Sequence, residues 1–573
     1  MSFFLGIYGS YSKKEECLIQ SKFSPHHLIK ESNFILGFDG IPETLRVNVD
    51  TKKGFVVCGI GISAEGNKIL NSDDWKIILS NSTSNIAKLN GHFAAVSFDE
   101  NQIILFNDTL GMREIYYFKN KNVIYFSTRL DFLSQLTNYC EPNIKTLSSS
   151  WLLTNHLGYG SLVKNIERLA PGGLLEIVND NFSVSNPNSY CPKFANSFED
   201  HNVKSILEEL TLLPSKENKN LSLALSGGMD SRVLLAYLLM NDASFSVHTF
   251  GEMTQPDAVI AKNISDYHHI DHLFFRNEIP PKKLLIDYLR NMLGQTLLTM
   301  PASETLHLKN HAAVYSQNKF IIDGGYGEIL RREFLNKVLL FDKEAVVQKD
   351  FAKLIPHLHS RRADIFKDEI VADMRINLID ELETACAALP DSMTIGVEHW
   401  LDFFAIKLKM PNVNGPGQAA MDALAPGYMP FTQKILLDAG FLLSASSKKN
   451  GKIFKAILSG NKLNLTKFPL VKNQITYPYG SSSLFARIFV RIKKQIGNVY
   501  EYPTRVNMLN LLEEFFFDLI SSTEFHSCEL YDLDKIKKIV NGYYSGNKSY
   551  ALHLDWLLTF ELWRQSLINT NVE

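Results

Sequence analysis

The sequence predicts an α/β protein in two parts, an antiparallel, strand-rich N-terminal part followed by a parallel-sheet α/β part. Three observations carry that expectation. Short alternating apolar runs fill the chain up to about residue 185, and from Leu221 onward strands alternate with longer helical patterns. Between the first of these later strands and its helix lies a glycine-rich turn, LSGGMDS. At 573 residues the chain is also too long for one ordinary core.

In the first part the runs FVVCGIGI, HFAAVSF, QIILFND and NVIYFST, separated by Asn, Asp, Lys and Gly, read as antiparallel strands. The stretch SVSNPNSYCPKFANSFED then loses periodicity and gathers Pro, Asn and Ser, so residues 186–200 are the expected linker. A helical VKSILEELTLL follows. SLAL then leads to a helix from Asp230, FSVHTFG to one from Pro256, HLFF to IPPKKLLIDYLRNML, and FIIDGG to another helix. Strands alternating with helices in this way make a parallel sheet with crossover helices, whose ligands bind outside the carboxyl ends of the strands.

Composition excludes several classes. With 45% hydrophobic and 21% charged residues and a formal net charge of -2, the chain reads as a globular protein with no whole-chain attraction for nucleic acid. No apolar stretch is long enough to span a membrane, and MSFFLGIYGS lacks the basic start of a secretory signal, so a cytoplasmic location is expected. The cysteines (Cys17, Cys58, Cys140, Cys191, Cys386 and Cys528) are too scattered for a zinc site or dithiol motif and are expected to be free, mostly buried thiols. His268 and His272 have the spacing of a helical metal pair, but the HHIDH segment reads as a helix end leading into a strand.

The turn Ser226–Ser231 has neither the GxxxxGK[ST] spacing of a Walker loop nor the third glycine of a dinucleotide fingerprint. Gly227 and Gly228 permit a tight bend with outward N–H groups, and the helix that follows adds the positive end of its dipole. Such a turn suits an anion. Ser226-Gly227-Gly228-Met229-Asp230-Ser231 resembles the pyrophosphate loop of the ATP pyrophosphatases, which cleave ATP between its α- and β-phosphates. Backbone N–H groups and the hydroxyls of Ser226 and Ser231 suit a leaving pyrophosphate, and Asp230 suits Mg²⁺. Arg232 reads as a helix-surface charge, with a phosphate contact as the alternative.

Over residues 5–480 the chain resembles the asparagine synthetase family, which joins a glutaminase-type domain to a synthetase domain. Leu89-Asn90-Gly91-His92-Phe93-Ala94 is similar to that family's L-x-G-x-F-A strand, Asn107 to Tyr117 to its RDRLGIRPLYY hairpin, Phe126-Ser127-Thr128 to F-x-SE, and Leu169 to Gly173 to LPPGH. Further on, Ile321 to Glu328 stands where the family carries LSGEGADE, Leu408 to Asn414 and Tyr428 to Phe431 resemble a helix and the RVPFLD stretch, and Phe468 to Asn473 falls where it carries a catalytic lysine.

The resemblance implies an N-terminal Ntn-type antiparallel β-sandwich domain over 1–185 and, after the linker, an adenine nucleotide α-hydrolase-like parallel-sheet α/β domain over 201–573 with a helical C-terminal part. It implies ATP contacts from Leu225, Ser226, Gly227, Gly228, Asp230, Ser231, Asp323 and Gly324, Mg²⁺ ligation by Asp230 and Glu328, and Lys472 as the catalytic lysine. Tyr326 is either the base or a loop aromatic packed in the core. Glu398 is a weak candidate for its dyad partner, and Lys452 and Lys455 are rivals to Lys472.

One departure matters. Gly6-Ile7-Tyr8-Gly9 is similar to the family's GIAG, which puts Leu5 where a glutaminase needs its cysteine; Ser2 lies three residues out of register. The first domain is therefore expected to be inactive. Family members that have lost glutamine hydrolysis resemble β-lactam synthetases and lasso peptide cyclases, which join a carboxylate to an amine of the same substrate. The expectation is an ATP-dependent carbon–nitrogen ligase acting on a small-molecule or peptide carboxylate in natural-product biosynthesis, with a precursor peptide and its protease as candidate partners. The alternatives are an asparagine synthetase-like amidotransferase that uses ammonia and a nonenzymatic nucleotide-binding regulator. Finally, LFARIFVRIKKQI (484–496) interleaves apolar and basic residues at helical spacing and is expected to pack in the core with a solvated basic edge.

Overall fold

The structure is a computed structural model that describes residues 2–568 apart from 51–52, 82, 179–180, 196–200, 482 and 497–502. The first part holds strands β1 (Phe3–Tyr8), β2 (His27–Glu31), β3 (Phe34–Asp39), β4 (Leu45–Val49), β5 (Gly54–Ile62), β6 (Asn90–Phe98), β7 (Gln102–Asn107), β8 (Tyr116–Asn120), β9 (Val123–Ser127), β10 (Glu167–Arg168), β11 (Leu174–Val178) and β12 (Asn181–Ser185). They form two antiparallel sheets, ordered β10-β8-β9-β1-β3-β2 and β12-β11-β7-β6-β5-β4. Phe4, Leu36 and Phe38 from one sheet meet Val56, Cys58, Val96, Leu105 and Leu175 from the other, so the interior is a sandwich core built from every second residue.

β1 is apolar on both faces for a reason. Phe4 fills the sandwich, while Phe3, Leu5 and Ile7 point the other way into a second core shared with Leu285, Leu289 and C-terminal residues such as Met508, Phe560 and Trp563. The expected linker is only partly described, since 196–200 lie outside the described residues. Its described portion is anchored: Tyr190 is buried against Phe403, and the Phe194 ring meets Phe403 and Phe441. Irregular backbone here is a docked strap.

Beyond it, α1 (His201–Lys216) precedes the parallel sheet of β13 (Leu221–Ala224), β14 (Phe245–Phe250), β15 (His272–Phe275), β16 (Phe320–Ile322) and β17 (Gly427–Tyr428), ordered β15-β14-β13-β16-β17. α2 (Met229–Met240) follows β13, α3 (Pro256–Tyr267) follows β14, and α4 (Lys282–Thr296) follows β15. Successive strands first step one way from β13, and β16 then returns to its other side. The crevice between β13 and β16 is thus a topological switch point. β18 (Leu470–Lys472) and β19 (Ile475–Tyr477) form a separate hairpin.

Two expectations need correction. The six cysteines are free, but Cys17, Cys140 and Cys191 are exposed. The HHIDH segment is the expected helix end leading into a strand: His268 caps α3, and His272 lies in β15 and bonds to Ser265 and Thr249. Among its described residues, the segment 484–496 buries only Ala486 and Val490, while Phe485, Ile488, Ile492 and Ile496 are exposed. The side chains of Leu484 and Arg487 lie outside the described residues.

Candidate active site

The loop Leu225–Ser231 connects the carboxyl end of β13 to α2 at the switch point. Its shape is set by short bonds: the Ser226 amide donates to the Ser231 hydroxyl at 3.2 Å, and the Gly228 amide to the Ser226 hydroxyl at 3.2 Å. Asp257, at the start of α3, accepts from the Gly227 amide at 2.9 Å. The first-turn N–H groups of α2 have no intrahelical acceptors, and Asp230 and Ser231 of that turn line the crevice.

Two glycines are required by close approach. A Cβ on Gly227 would stand 2.4 Å from the Val471 side chain in β18, and one on Gly327 would stand 2.4 Å from the carboxyl carbon of Asp230. The loop after β13, the loop after β16 and the β18–β19 hairpin therefore meet with no room for a methyl group between them. Val471 also donates its amide to the Gly227 carbonyl at 3.1 Å.

Arg232 corrects the surface reading. It is completely buried, and its guanidinium donates to the carbonyls of Leu465, Phe468, Pro469 and Gly227 at 2.8–3.3 Å. Burial pushes its pKa down to about 10. A planar fork of donors suits such a cluster of carbonyls, and here it fastens the segment leading to Lys472 onto the Leu225–Ser231 loop.

Asp230 is clamped from one side by Arg331, whose Nε and Nη2 reach its two carboxylate oxygens at 2.6 and 2.8 Å. Arg331 in turn donates to Glu333 at 2.7 Å, and Glu333 pairs with the Lys472 ammonium at 3.0 Å. Four charges so form one chain, Asp230–Arg331–Glu333–Lys472. Desolvation pushes the Asp230 pKa up to about 6, against the pull of Arg331 and with the help of the Glu328 and Glu333 charges. Arg331 and Glu333 were absent from the sequence reading. Their only signal is the run RRE behind the DGGYGE loop, and no motif marks it.

A cavity of about 630 Å³ opens at this loop, within the range of small-ligand sites. Ala224, Leu225, Ser226, Gly228, Asp230 and Ser231 line one end, Asp323, Gly324 and Gly325 the β16 side, and Phe250, Gln255 and Asp257 the β14 side. Ser303, Glu304, Thr504 and Arg505 also line it. Most of the expected nucleotide contacts therefore line one cavity. Gly227 is held behind them, between Asp257 and Val471.

The three expected catalytic residues are placed unequally. Lys472 stands beside the loop through Glu333 and Arg331, and the charge of Glu328 acts on Asp230. Tyr326 turns away from the cavity. It is buried, its ring lies 5.1 Å from that of Phe334, and its hydroxyl donates to the Ala405 carbonyl at 3.1 Å. Burial drives the phenol pKa well above its ordinary value, so the packing alternative fits and the base role does not. Glu398 is seven residues from Ala405 in the helix α5 (Val397–Lys409), about 10 Å along its axis. It is no partner for that hydroxyl. Lys452 and Lys455 lie on the exposed side of a helix whose Ile453, Phe454, Ile457 and Leu458 are buried.

Magnesium typically binds one or two carboxylates together with phosphate oxygens, not an all-protein cage. Asp230 and Glu328 lie close enough for the charge of one to act on the other and would supply such carboxylates once Arg331, which holds both Asp230 oxygens here, is displaced.

In the first part, Leu5 is mid-strand and fully buried, paired with Gly37 and Ser127, so its amide is an ordinary ladder group. Ser2 is buried, and its carbonyl accepts from Arg113, which also pairs with Asp422 at 3.0 Å. His92 meets the same Asp422 at 3.1 Å. The hairpin that resembles RDRLGIRPLYY is locked by Asp108, whose carboxylate accepts from the amides of Phe93, Leu110, Met112 and Arg113.

Residues 62–135 match the profile of a glutamine amidotransferase domain. No curated protein matches the chain. Two solved structures align at low similarity. One, described as the allosteric regulatory enzyme of purine biosynthesis, is 10% identical with a TM-score of 0.21, covering 43% of this chain and 59% of its own. The other, glutamine phosphoribosylpyrophosphate amidotransferase from B. subtilis complexed with ADP and GMP, is 8% identical with a TM-score of 0.23, covering 56% of this chain and 81% of its own. This chain thus spans under two thirds of the first of them, and likeness at such scores carries no argument. What stands is that the strand-rich part includes a glutamine amidotransferase-type segment, and that no described helix is long and apolar enough to cross a membrane.

Proposed function

We propose that the chain is an ATP-dependent amide-forming ligase that adenylates a substrate carboxylate, releases pyrophosphate and couples the acyl group to an amine of the same substrate. The observation that carries this reading is that the Ser226–Ser231 loop and Asp230 line one switch-point cavity, while the Lys472 hairpin lies directly against that loop through Val471 and the Lys472–Glu333–Arg331–Asp230 chain. The helix start and the loop hydroxyls bind the β- and γ-phosphates, and the carboxylate oxygen attacks the α-phosphorus as the bond to pyrophosphate breaks. A magnesium ion held by Asp230 and Glu328 would draw charge from those phosphates.

Asp230 cannot serve both Arg331 and a metal. Nucleotide binding therefore transfers Arg331 from Asp230 to phosphate oxygens, for which its fork is equally suited. Lys472 stabilises the anionic oxygen formed when the amine attacks the acyl carbon, and AMP leaves. Glu333, which joins Lys472 to Arg331, replaces Tyr326 as the group that accepts the amine proton. Holding both reacting groups in one cavity removes up to about 7–11 kcal/mol of barrier, which makes a macrolactam cyclase or β-lactam-type synthetase the favoured class.

A second reading has one observation in its favour. The match over residues 62–135 fits an amidotransferase that uses ammonia, although Leu5 in mid-strand leaves this chain without its own glutaminase nucleophile. Exchange of labelled pyrophosphate into ATP across a panel of acids and peptides tests the adenylation step. Carboxylate-dependent exchange that Asp230→Asn reduces at least about 100-fold is expected. Nucleotide binding without exchange for any acid would leave only a regulator. Amide formation that requires ammonium would select the second reading.

A further inference from the structure

The helix α6 (Ser483–Gln495) follows the Lys472 hairpin and packs against β19, burying Ala486 and Val490. Its opposite face is apolar and exposed. Ile488 is 51% exposed, Ile492 50% and Ile496, one residue past the helix end, 70%. At a 3.6-residue period these positions form one continuous stripe, which Phe485 extends while stacking on Phe489 at 6.0 Å. Single exposed isoleucines are ordinary, but a row of them along one helix face marks an interaction surface.

Charge indicates what covers it. From Ala439 to Tyr500 the sequence has no Asp or Glu and eleven Lys or Arg, in a chain whose net charge is -2. Some of these cations are engaged inside the protein, as Lys448 is with Asp402 and Lys472 with Glu333. On α6 itself they flank the stripe: Arg491 and Lys494 are exposed towards one edge, and Lys493 holds its ammonium 5.7 Å over the Phe489 ring towards the other. An apolar stripe bordered by cations with long flexible stems is the pattern of a helix lying in the plane of an anionic bilayer.

We propose that α6 docks this chain onto an anionic phospholipid surface, with Ile488, Ile492 and Ile496 among the acyl chains and Arg491, Lys493 and Lys494 at the headgroups. The docked helix brings the neighbouring Lys472 hairpin to the membrane. This inference is independent of the nucleotide chemistry proposed above.

The test is flotation of the full chain with phosphatidylcholine vesicles, with and without phosphatidylglycerol. At least about tenfold stronger partition onto the phosphatidylglycerol vesicles is expected, falling as salt is raised. The double variant Ile488→Glu/Ile492→Glu should lose that partition at least about tenfold yet unfold at the wild-type temperature, since both side chains already face solvent. Arg491→Ala/Lys494→Ala should lose the lipid selectivity while keeping the fold. Absence of phosphatidylglycerol-dependent binding, or unchanged binding by the double glutamate variant, overturns the proposal. So does tight binding of an acidic peptide that the glutamate variant abolishes in a chain that ignores vesicles, because the stripe would then be a peptide site.

Discussion

The carbonyl oxygens of Gly227, Leu465, Phe468 and Pro469 converge on the guanidinium of Arg232. Replacing it with methionine leaves these acceptors buried without donors, and a loss of about 3 kcal/mol of stability, read as a lower urea midpoint, is expected. Lysine should rescue little, because one ammonium cannot span the same set. The residue was misread from sequence because a charge beside an apolar run normally marks the wet side of a helix, whereas α2 is buried almost all round. Asp230 supports a prediction in pH. Its raised pKa means the neutral acid dominates below about 6, so affinity for magnesium–nucleotide should fall as pH drops through about 6, not near the ordinary aspartate value of about 4. Titrations from pH 5 to 8 read this directly, and an affinity that holds steady across that range would remove Asp230 from the metal site. Tyr326→Phe should cost only the hydrogen bond to Ala405, about 1 kcal/mol, and leave turnover within about twofold. A loss of several hundredfold would return the base role to that hydroxyl.

At the scale of elements, the β18–β19 hairpin matters because it lies against the Leu225–Ser231 loop with no spare volume. Gly227→Ala forces its new methyl group into Val471 and should weaken nucleotide binding about tenfold or more. Val471→Ala in the same chain should recover most of it, and failure of the pair to couple would show that the hairpin is not seated on the loop. Strand and helix order here was legible in the sequence. β13, β14, β15 and β16 are local apolar runs followed by caps or glycine turns, and local patterns need no knowledge of the rest of the chain. The ion-pair chain was not legible. Arg331 meets Asp230 across 101 positions, and Glu333 meets Lys472 across 139, so no spacing rule connects them. The exposed stripe of α6 was hidden for a related reason, because helical periodicity gives an apolar face without saying whether anything covers it.

On the scale of the molecule, the division into a strand-rich part and a parallel-sheet part does not divide the core. Phe3, Leu5 and Ile7 of β1 pack in one cluster with Leu285, Met508 and Trp563, and Ile60, Leu110 and Met112 pack in another with Leu223, Tyr326 and Phe431. Arg113 and His92 meet at Asp422 inside that junction. Calorimetry should therefore show one cooperative unfolding transition, and two separated transitions would mean that the junction is weaker than its packing implies. Leu5, fully buried in mid-strand, is one of the residues that carry this shared core. The most direct test of the nucleotide claim is a structure of the full chain with magnesium and an ATP analogue whose α,β-bridge resists cleavage. The expected result is β- and γ-phosphates on the amides of residues 227–231, with the metal on Asp230 and Arg331 turned from that carboxylate to phosphate. Phosphates bound elsewhere, with the Asp230–Arg331 pair undisturbed, would contradict the account.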